Sequence, residues 1–531
     1  MMHLKSILTA VIGTALVAVS CCQEQQTPRA KHVIFIGLDA LSGVGIQRAA
    51  TPNFNYMIEN GAISLHTRVA RETSSSQNWM CMVSGAPIEM TGVTDNGWEY
   101  ETRMIEPAAH NAKGMFPTVF DVIKTQRPEA KVYGFYEWQG QIRMYDMDSF
   151  DYSEKCQDGE TTLKKAFAKY MEDQPELLFV SVDATDHAGH SHGHESMGYM
   201  NCISMCDSII GDFVKELESK GMMKDAVIII TGDHGGIRFG HGGDNMSELE
   251  VPVLMYGKGV TKGKVMEHAN MIYDNAATIA GLLGVTLPEE CRGKFIMQAF
   301  EPRTETAYVP IPFAQPYRGV ASEVTLTADL EGAEIYYTTD GTTPTVNSTK
   351  YTGPIKVESN IFLKSITYKN GQYSDVAENT FYAKAPEGEA PIEFKLYRNY
   401  TSEVLPDFTK FGRASATGYV SNFTLNELPI NDNEDDFAVI FSSNLIIKES
   451  GKYRFLLGSD DGSKLIIDNK VIIDNDGSHT YKEKMGVVEL CAGEHIIKIE
   501  YFEDCDGQML NLAYGLDGNA LFPINVTELK K

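Results

Sequence analysis

Five apolar segments of five to seven residues constrain the fold of this chain more than any other feature of its sequence. Several are apolar throughout, which is typical of strands in a parallel sheet that is covered on both faces. Segments with helical periodicity lie between them. We therefore predict an α/β domain over residues 31–300, with a mostly parallel sheet flanked by helices. The predicted strands are His32–Leu38, Val132–Tyr136, Leu177–Val182, Ala226–Thr231 and Pro252–Tyr256, and the predicted helices are Thr118–Thr125, Thr161–Glu172, Tyr199–Lys220 and Asp274–Leu283.

Acidic residues follow three of the predicted strands, at or just beyond the point where each strand ends. Asp39 follows the first strand, Asp186 the third and Asp233 the fourth. In open α/β sheets, ligands bind beyond the carboxyl ends of the strands. We therefore expect a functional site at this edge of the predicted sheet.

The same regions carry further side chains that can bind metals. The candidate ligands comprise three carboxylates, three imidazoles and one hydroxyl: Asp39, Asp186, Asp233, His190, His234, His241 and Ser75. Oxygen and nitrogen donors in this combination suit two divalent ions, for which Zn²⁺ is the expected identity. A serine beside such a pair can act as a nucleophile toward phosphorus.

The order of these fragments resembles that of the alkaline phosphatase superfamily, specifically its type I phosphodiesterase/nucleotide pyrophosphatase branch. The resemblance covers about half of the chain and depends on the ordered set, since each fragment alone is common. The fragments are Gly37-Leu38-Asp39, Ser75-Ser76-Gln77-Asn78, Asp186-His187-Ala188-Gly189-His190 and Thr231-Gly232-Asp233-His234, with His241 beyond.

The resemblance implies a role for each candidate ligand. One metal would be held by Asp186, His190 and His241, and the other by Asp39, Asp233 and His234. Ser75 would be the nucleophile that forms a phosphoseryl intermediate, with its neighbours Ser74 and Ser76 as alternatives. Asn78 would donate a hydrogen bond to a phosphoryl oxygen. The flanking His187, His192 and His194 are expected to support the ligands or to face solvent.

The segment between the second and third fragments is where this superfamily varies its substrate pocket. Trp98 and Trp138 are candidates to stack on a sugar or base, and Arg143 is a candidate to meet a phosphate. The alternative for Trp138, and for Tyr136 beside it, is a place in the core at the end of a strand.

These observations predict metal-dependent hydrolysis of phosphate esters. The sequence contains no Cys/Ser-x-Pro-x-Arg motif, which sulfatases of the superfamily require, and no clear additional set typical of bacterial phosphomonoesterases. Phosphodiesters are therefore the expected substrates. One alternative is a phosphomonoesterase of the same superfamily, and another is a glycan-binding surface lipoprotein whose catalytic domain is vestigial.

The remainder of the chain is predicted to be all-β. Residues 301–319 are a proline-bearing linker, residues 320–383 a small β-sandwich, and residues 384–393 a second linker before a β-domain at 394–527. The turn Tyr337-Thr338-Thr339-Asp340-Gly341 resembles that of the C-terminal domain of chitobiase-type hexosaminidases.

The last domain resembles PA14 domains through Gly458-Ser459-Asp460-Asp461-Gly462. Some relatives bind glycans through calcium held by an adjacent Asp-Asp pair, which Asp460 and Asp461 match, and acidic side chains suit Ca²⁺. The alternative is that this pair caps a loop and binds no metal.

The N-terminus is predicted to direct export. Lys5 precedes an apolar run, Ile7 to Val19, and Ala18-Val19-Ser20-Cys21 resembles the lipobox of bacterial lipoproteins. Residues 1–21 are then a signal peptide, Cys21 carries the lipid anchor, and residues 22–30 are a tether. The predicted location is the bacterial envelope; the alternative is a plain secretory signal that is cleaved nearby.

The charge of the chain bears on its partners. Its 72 acidic and 46 basic residues give a formal net charge of −26. This charge repels nucleic-acid backbones, so no nucleic-acid binding is expected.

Overall fold

A computed structural model describes residues 27–531, apart from Glu195, Tyr317, Asp432, Asn433, Thr480, Asp506 and Gly507. The predicted signal peptide, the predicted lipid anchor at Cys21 and the first part of the predicted tether lie outside the described residues. Within the described part of the chain, no helix combines the length and the apolar character that a bilayer span requires.

An eight-stranded sheet forms the centre of the N-terminal half. Its strands are β1 (His32–Leu38), β2 (Ala62–Arg68), β3 (Val132–Tyr136), β4 (Tyr152–Lys155), β5 (Leu177–Val182), β6 (Ala226–Thr231), β7 (Glu250–Gly257) and β8 (Lys264–Val265). The spatial order is β4-β3-β5-β1-β6-β7-β2-β8. All neighbours pair in parallel except β7, which is antiparallel to both β6 and β2. The predicted α/β fold with a mostly parallel sheet is thus confirmed.

Helices cover both faces of this sheet. They are α1 (Gly43–Arg48), α2 (Pro52–Asn60), α3 (Ser75–Ser84), α4 (Ile88–Thr91), α5 (Val119–Gln126), α6 (Gly159–Asp173), α7 (Ala184–His192), α8 (Met197–Ser219), α9 (Met246–Leu249) and α10 (Asp274–Leu283). Val33 and Phe35 of β1 belong to a core that includes residues of α3, α5 and α10. Ile34 and Ile36 belong to a second core that includes residues of α2, α6 and α8. Burial on both faces explains why the strand sequence is apolar throughout.

Short 3-10 helices occur in the connections. They span Tyr100–Thr102, Gln139–Arg143, Met147–Ser149, Met222–Lys224, Met297–Phe300, Phe408–Lys410, Leu425–Glu427 and Val526–Glu528.

Two small sheets follow over residues 313–382. Their strands are β9 (Phe313–Gln315), β10 (Gly319–Val320), β11 (Glu323–Thr327), β12 (Glu334–Thr338), β13 (Thr349–Lys350), β14 (Ile355–Lys356), β15 (Ile361–Lys369), β16 (Gln372–Tyr373) and β17 (Ala377–Tyr382). The orders are β10-β17-β15-β12-β13, with β16 on β15, and β14-β11-β9. Leu326 of one sheet and Leu363 of the other belong to the same small core.

A larger pair of sheets forms the C-terminal part. Its strands are β18 (Ile392–Arg398), β19 (Ala416–Val420), β20 (Phe437–Ile447), β21 (Gly451–Asp460), β22 (Ser463–Ile467), β23 (Lys470–Asn475), β24 (Lys482–Leu490), β25 (Gly493–Glu503), β26 (Met509–Leu516), β27 (Phe522–Pro523) and β28 (Leu529–Lys530). One sheet has the order β19-β18-β20-β25-β22-β23, with β28 on β20, and the other β24-β21-β26-β27. Phe441 of the first sheet and Phe455 of the second belong to one shared core.

Candidate functional site

Three aspartates meet at the carboxyl end of the sheet because β1 lies between β5 and β6. Asp39 directly follows β1 and is 1% exposed, and Asp233, just after β6, is fully buried. Asp186 lies in the first turn of α7, the helix that follows β5. The topology thus brings together residues that are far apart in sequence.

Each of these carboxylates has a buried oxygen without a hydrogen-bond partner among the described residues, namely Asp39 Oδ1, Asp186 Oδ1 and Asp233 Oδ2. Burial, together with the charges of the neighbouring aspartates, raises the pKa of Asp39, and burial raises the pKa of Asp233 to about 7. For Asp186 burial is outweighed by the adjacent His190 and His241, which lower its pKa. Buried carboxylates in such proximity require either bound protons or a compensating cation.

Three histidines face these carboxylates through their Nε2 atoms. The pairs are His190 Nε2 with Asp186 Oδ2 at 3.3 Å, His241 Nε2 with Asp186 Oδ1 at 3.6 Å, and His234 Nε2 with Asp39 Oδ1 at 3.5 Å and with Asp233 Oδ2 at 3.4 Å. Burial lowers the pKa of His234, and it lowers that of His241 to about 4. Neutral rings are therefore favoured for these two residues at neutral pH.

The Nδ1 atoms of the same histidines bond to backbone carbonyls. The pairs are His190 with Phe239 O at 2.7 Å, His241 with Thr73 O at 2.7 Å, and His234 with Gly235 O at 2.8 Å. Because a carbonyl can only accept, Nδ1 carries the proton, and the Nε2 of a neutral ring keeps a lone pair. Each lone pair then faces carboxylate oxygens. A divalent cation between them satisfies both groups, and the donor chemistry fits zinc.

Two groups of side chains have ligand atoms close enough to share an ion. Asp186, His190 and His241 form one group, and Asp39, Asp186 and His234 form the other, with all ligand atoms of a group within 4.8 Å of one another. The first group has the membership that the resemblance implies. In the second, Asp186 stands where the resemblance implies Asp233, although Asp233 Oδ2 lies 3.4 Å from His234 Nε2.

Ser75 is the first residue of α3, and its Oγ lies 3.3 Å from His234 Nε2. Of its neighbours, Ser74 donates from its hydroxyl to Gln77 Oε1 at 2.8 Å, and the Oγ of Ser76 is buried without a described partner. Among these three serines, Ser75 is the one that contacts a candidate ligand. Its position at the start of a ten-residue helix also exposes it to the positive end of the helix dipole.

Asn78 is buried and bonds to the loop that precedes Ser75. Its Nδ2 donates to the carbonyls of Ser74 at 3.1 Å and Ala70 at 3.3 Å, and its Oδ1 accepts from the Ala70 N–H at 2.8 Å. These bonds hold the side chain against the preceding loop, and the implied contact with a phosphoryl oxygen stays a prediction.

Asn96, which the sequence did not single out, lies beside Ser75. Its Oδ1 accepts from the Ser76 N–H at 2.8 Å, and its side chain is exposed. No described residue accepts a hydrogen bond from its Nδ2, so this amide is available to a substrate oxygen. The local sequence Asp95-Asn96-Gly97 indicates only a turn.

The three predicted pocket residues have different environments. Trp98 is 6% exposed and belongs to a hydrophobic core, so we assign it to the core and correct the pocket prediction. Trp138 is half-buried and packs against the same core. Arg143 donates from Nη2 to the Asn96 carbonyl at 2.7 Å and pairs with Glu99 at 3.0 Å. Arg143 therefore supports the loop that carries Asn96.

Other supporting contacts were not visible in the sequence. Trp79 donates from Nε1 to Asp39 Oδ2 at 2.9 Å. The ring of His194 is buried, and a Cβ on Gly189 or Gly236 would lie 2.1 or 2.4 Å from it. His194 Nε2 is 3.9 Å from Asp186 Oδ1. His187 and His192 are exposed, as expected for residues that face solvent.

Asp461, in the predicted calcium pair, is bonded to its own loops. Its Oδ1 accepts from the His479 N–H at 2.7 Å, and its Oδ2 accepts from the Asp504 N–H at 2.9 Å. Asp460 and Asp461 belong to no group of three or more candidate ligands among the described residues. These contacts agree with the loop-capping alternative, and calcium binding stays a prediction.

The region that carries the site matches a known family. Residues 33–250 match the model of type I phosphodiesterase/nucleotide pyrophosphatase. Residues 412–527 match the PA14 domain, so both of these resemblances are confirmed. Residues 324–381 match the Fn3-associated family, and the chitobiase-type resemblance is not confirmed.

Individual relatives match parts of the chain. Ectonucleotide pyrophosphatase/phosphodiesterase family member 3 of Bos taurus is 23% identical over 236 residues, which are 41% of this chain and 26% of that protein. GPI ethanolamine phosphate transferase 3 of Saccharomyces cerevisiae is 31% identical over 91 residues, or 17% of this chain and 8% of that protein. The chain thus spans about a quarter or less of these relatives.

A solved structure, murine ectonucleotide pyrophosphatase/phosphodiesterase 5, is 17% identical with a TM-score of 0.42. The comparison covers 48% of this chain and 96% of that one.

Proposed function

We propose that this protein is a metal-dependent hydrolase of phosphate esters that acts on phosphodiesters through the nucleophile Ser75. The observation that carries the proposal is the position of the Ser75 hydroxyl, 3.3 Å from His234 Nε2 in a cluster of buried carboxylates and imidazoles. The family of the N-terminal domain supports hydrolysis of phosphate esters as the reaction class.

Two cations would be held by different residues of the cluster. Asp186, His190 and His241 would hold one, and Asp39, Asp233 and His234 would hold the other beside Ser75. When bound, two such cations, expected to be zinc, neutralise the carboxylates, lower the pKa of the serine hydroxyl and balance the charge on the leaving oxygen.

The chain's own groups then direct the phosphoryl transfer. Ser75 Oγ loses its proton to solvent and attacks phosphorus, the bond from phosphorus to the leaving oxygen breaks, and a phosphoseryl intermediate forms that keeps the second ester group of the diester. Backbone N–H groups at the start of α3 and the Nδ2 of Asn96 are positioned to donate to the non-bridging oxygens. Attack of water on the phosphoserine releases the product and restores Ser75.

We also propose that the protein is exported and anchored through a lipid on Cys21, and that the PA14 domain holds glycans near the substrate. The lipobox-like sequence supports the anchor, and the PA14 match supports the contact with carbohydrate.

Three model substrates test the reaction class directly. Bis-p-nitrophenyl phosphate, p-nitrophenyl phosphate and p-nitrophenyl sulfate should be compared with Zn²⁺ present and after chelation. We expect metal-dependent cleavage that favours the diester. A preference for the monoester would make the protein a phosphomonoesterase. Absence of turnover in the metal-loaded protein would leave the glycan-binding lipoprotein as the better account.

A further inference from the structure

The segment between the candidate ligands His234 and His241 forms a tight turn. The N–H of Ile237 donates to the carbonyl of Gly240 at 2.9 Å, and the N–H of Gly240 donates back at 3.1 Å. Arg238, at the tip, has a φ of 58°, in the left-handed region that non-glycine residues rarely adopt. Contacts elsewhere must therefore help to hold the turn in this conformation.

Backbone carbonyls of this turn orient histidines of the metal cluster. Phe239 O accepts from His190 Nδ1 at 2.7 Å, and Arg238 O accepts from the backbone N–H of His194 at 2.5 Å. The first bond sets the tautomer that directs His190 Nε2 toward Asp186. The turn thus connects His234 and His241 covalently and fixes His190 by a hydrogen bond.

The side chain of Arg238 leaves the phosphodiesterase-family domain and enters the PA14 domain. Its guanidinium carbon lies 4.3 Å from the centre of the Tyr481 ring, and its Nη1 contacts Met509 Sδ. With its amide oxygen turned toward the guanidinium, Asn511 accepts from Nη1 at 2.6 Å and from Nη2 at 2.5 Å. A stacked ring and an amide oxygen that accepts from both Nη atoms define the position of a guanidinium closely.

The PA14 domain is shaped for this contact. A Cβ on Gly458 would lie 2.2 Å from the hydroxyl oxygen of Tyr481, so glycine leaves the space that the tyrosine occupies. A cavity of about 710 Å³, lined by residues of all three domains, lies beside Arg238. Arg238 therefore crosses to the PA14 domain at the edge of a gap.

We propose that the PA14 domain positions the metal ligands of the catalytic domain through Arg238. In this view the PA14 domain is part of the working active site, in addition to any contact it makes with glycans. Arg238 is a positioning residue: it touches no substrate and acts through His190, His234 and His241. The inference rests on the proposed function, because these histidines matter in this way only if they hold metal.

The test measures metal binding by the full-length protein. Arg238→Ala, Tyr481→Ala and the double variant are compared with wild type for Zn²⁺ affinity, by competition with a chelator, and for the absorption spectrum of bound Co²⁺. Each single variant should weaken Zn²⁺ binding about 10-fold and change the Co²⁺ spectrum, since outer contacts of ligating histidines have effects of this size. The double variant should bind Zn²⁺ no more weakly than the more affected single variant, because both substitutions remove the same contact.

Arg454→Ala is the matched control. Arg454 is an arginine of the PA14 domain whose Nε is paired with Asp517 at 3.4 Å within that domain. Its replacement should leave Zn²⁺ affinity and the Co²⁺ spectrum unchanged. An equal effect of Arg454→Ala would overturn the proposal, because the loss would then reflect general damage to the domain.

Further outcomes separate this inference from the proposed function. If wild type binds no divalent metal, the proposed function itself fails. If wild type binds metal and Arg238→Ala retains its affinity and spectrum, only the positioning role is overturned. Should Arg238→Ala fail to fold, Asn511→Ala removes the oxygen that accepts from both Nη atoms, with less disturbance. Asn511→Ala should also weaken Zn²⁺ binding and change the Co²⁺ spectrum. If this variant bound metal as wild type does, that result would count against the proposal.

Discussion

His234 Nε2 lies 3.3 Å from the hydroxyl oxygen of Ser75, while its Nδ1 bonds to the carbonyl of Gly235 at 2.8 Å. The second contact places the ring proton on Nδ1, so Nε2 presents a lone pair to the space between Ser75, Asp39 and Asp233. This relationship joins the candidate nucleophile to the candidate metal ligands.

Removal of divalent metal should destabilise the protein, because the carboxylates of Asp39, Asp186 and Asp233 then lose their compensating charge. Ligand at 100 times its dissociation constant stabilises a folded protein by about 2.7 kcal/mol. We therefore expect chelation to lower the melting temperature in calorimetry, and added Zn²⁺ to restore it. An unchanged melting temperature would indicate that no metal is bound.

Asn96 and Asn78 should respond differently to replacement by alanine. Asn96→Ala should lower kcat by about 100-fold with little change in melting temperature, since its Nδ2 is positioned to donate to the substrate. Asn78→Ala should lower stability by about 2 kcal/mol, because backbone groups of Ser74 and Ala70 lose their partner. Steady-state kinetics and thermal unfolding of both variants check this contrast. Equal kinetic effects without loss of stability would favour the role that the resemblance implies for Asn78.

Gly236→Ala should destabilise the protein through a clash with the His194 ring. The new Cβ would lie 2.4 Å from the His194 ring, which is buried and cannot withdraw without displacing its neighbours. We expect a loss of about 2 kcal/mol in the free energy of unfolding. Gly353→Ala is the control, because a Cβ there meets nothing within 4 Å. Denaturant unfolding of both variants tests the prediction, and equal stabilities would refute it.

Glu503 should make the stability of the PA14 domain decrease as pH rises. Burial raises the pKa of this carboxyl to about 11, and Tyr501 donates a hydrogen bond to it. The folded state thus retains a proton that the unfolded state releases above its ordinary pKa of about 4.3, so stability falls as pH increases above that value.

Glu503→Gln replaces this carboxyl with a neutral amide that does not titrate. The substitution should raise stability at pH 8.5 by about 2 kcal/mol and change it little at pH 5, the full linkage effect being reduced by relaxation around the buried group. Melting temperatures of wild type and variant at the two pH values provide the measurement. If the difference in stability between wild type and variant were the same at the two pH values, Glu503 would be ionised in the folded protein.

The sequence predicted the central strands well for a physical reason. β1, β3, β5 and β6 have the predicted bounds, because strands covered on both faces are apolar throughout. β2 was not predicted, since its segment Ala62–Arg68 contains serine, histidine and threonine. Its pairing with β7 depends on a partner almost two hundred residues away, which local pattern does not reveal.

The candidate ligands could be predicted because parallel strands deliver their carboxyl ends to one edge of a sheet. The direction of the side chains could not be predicted in this way. Asn78 lies in the predicted fragment but bonds to the preceding loop, whereas Asn96 reaches Ser76 from twenty residues away. The contact of Arg238 with Met509 spans 271 residues and depends on how two domains dock.

The most direct test of the account is to locate the covalent intermediate. Wild type, Ser75→Ala and Ser74→Ala are mixed with Zn²⁺ and bis-p-nitrophenyl phosphate, quenched in acid and digested for mass spectrometry. We predict a Ser75 that carries a p-nitrophenyl phosphoryl group in wild type and Ser74→Ala, with turnover by Ser75→Ala reduced by about 1,000-fold or more. Wild-type turnover by Ser75→Ala, or modification of Ser74 or Ser76 in place of Ser75, would contradict the account.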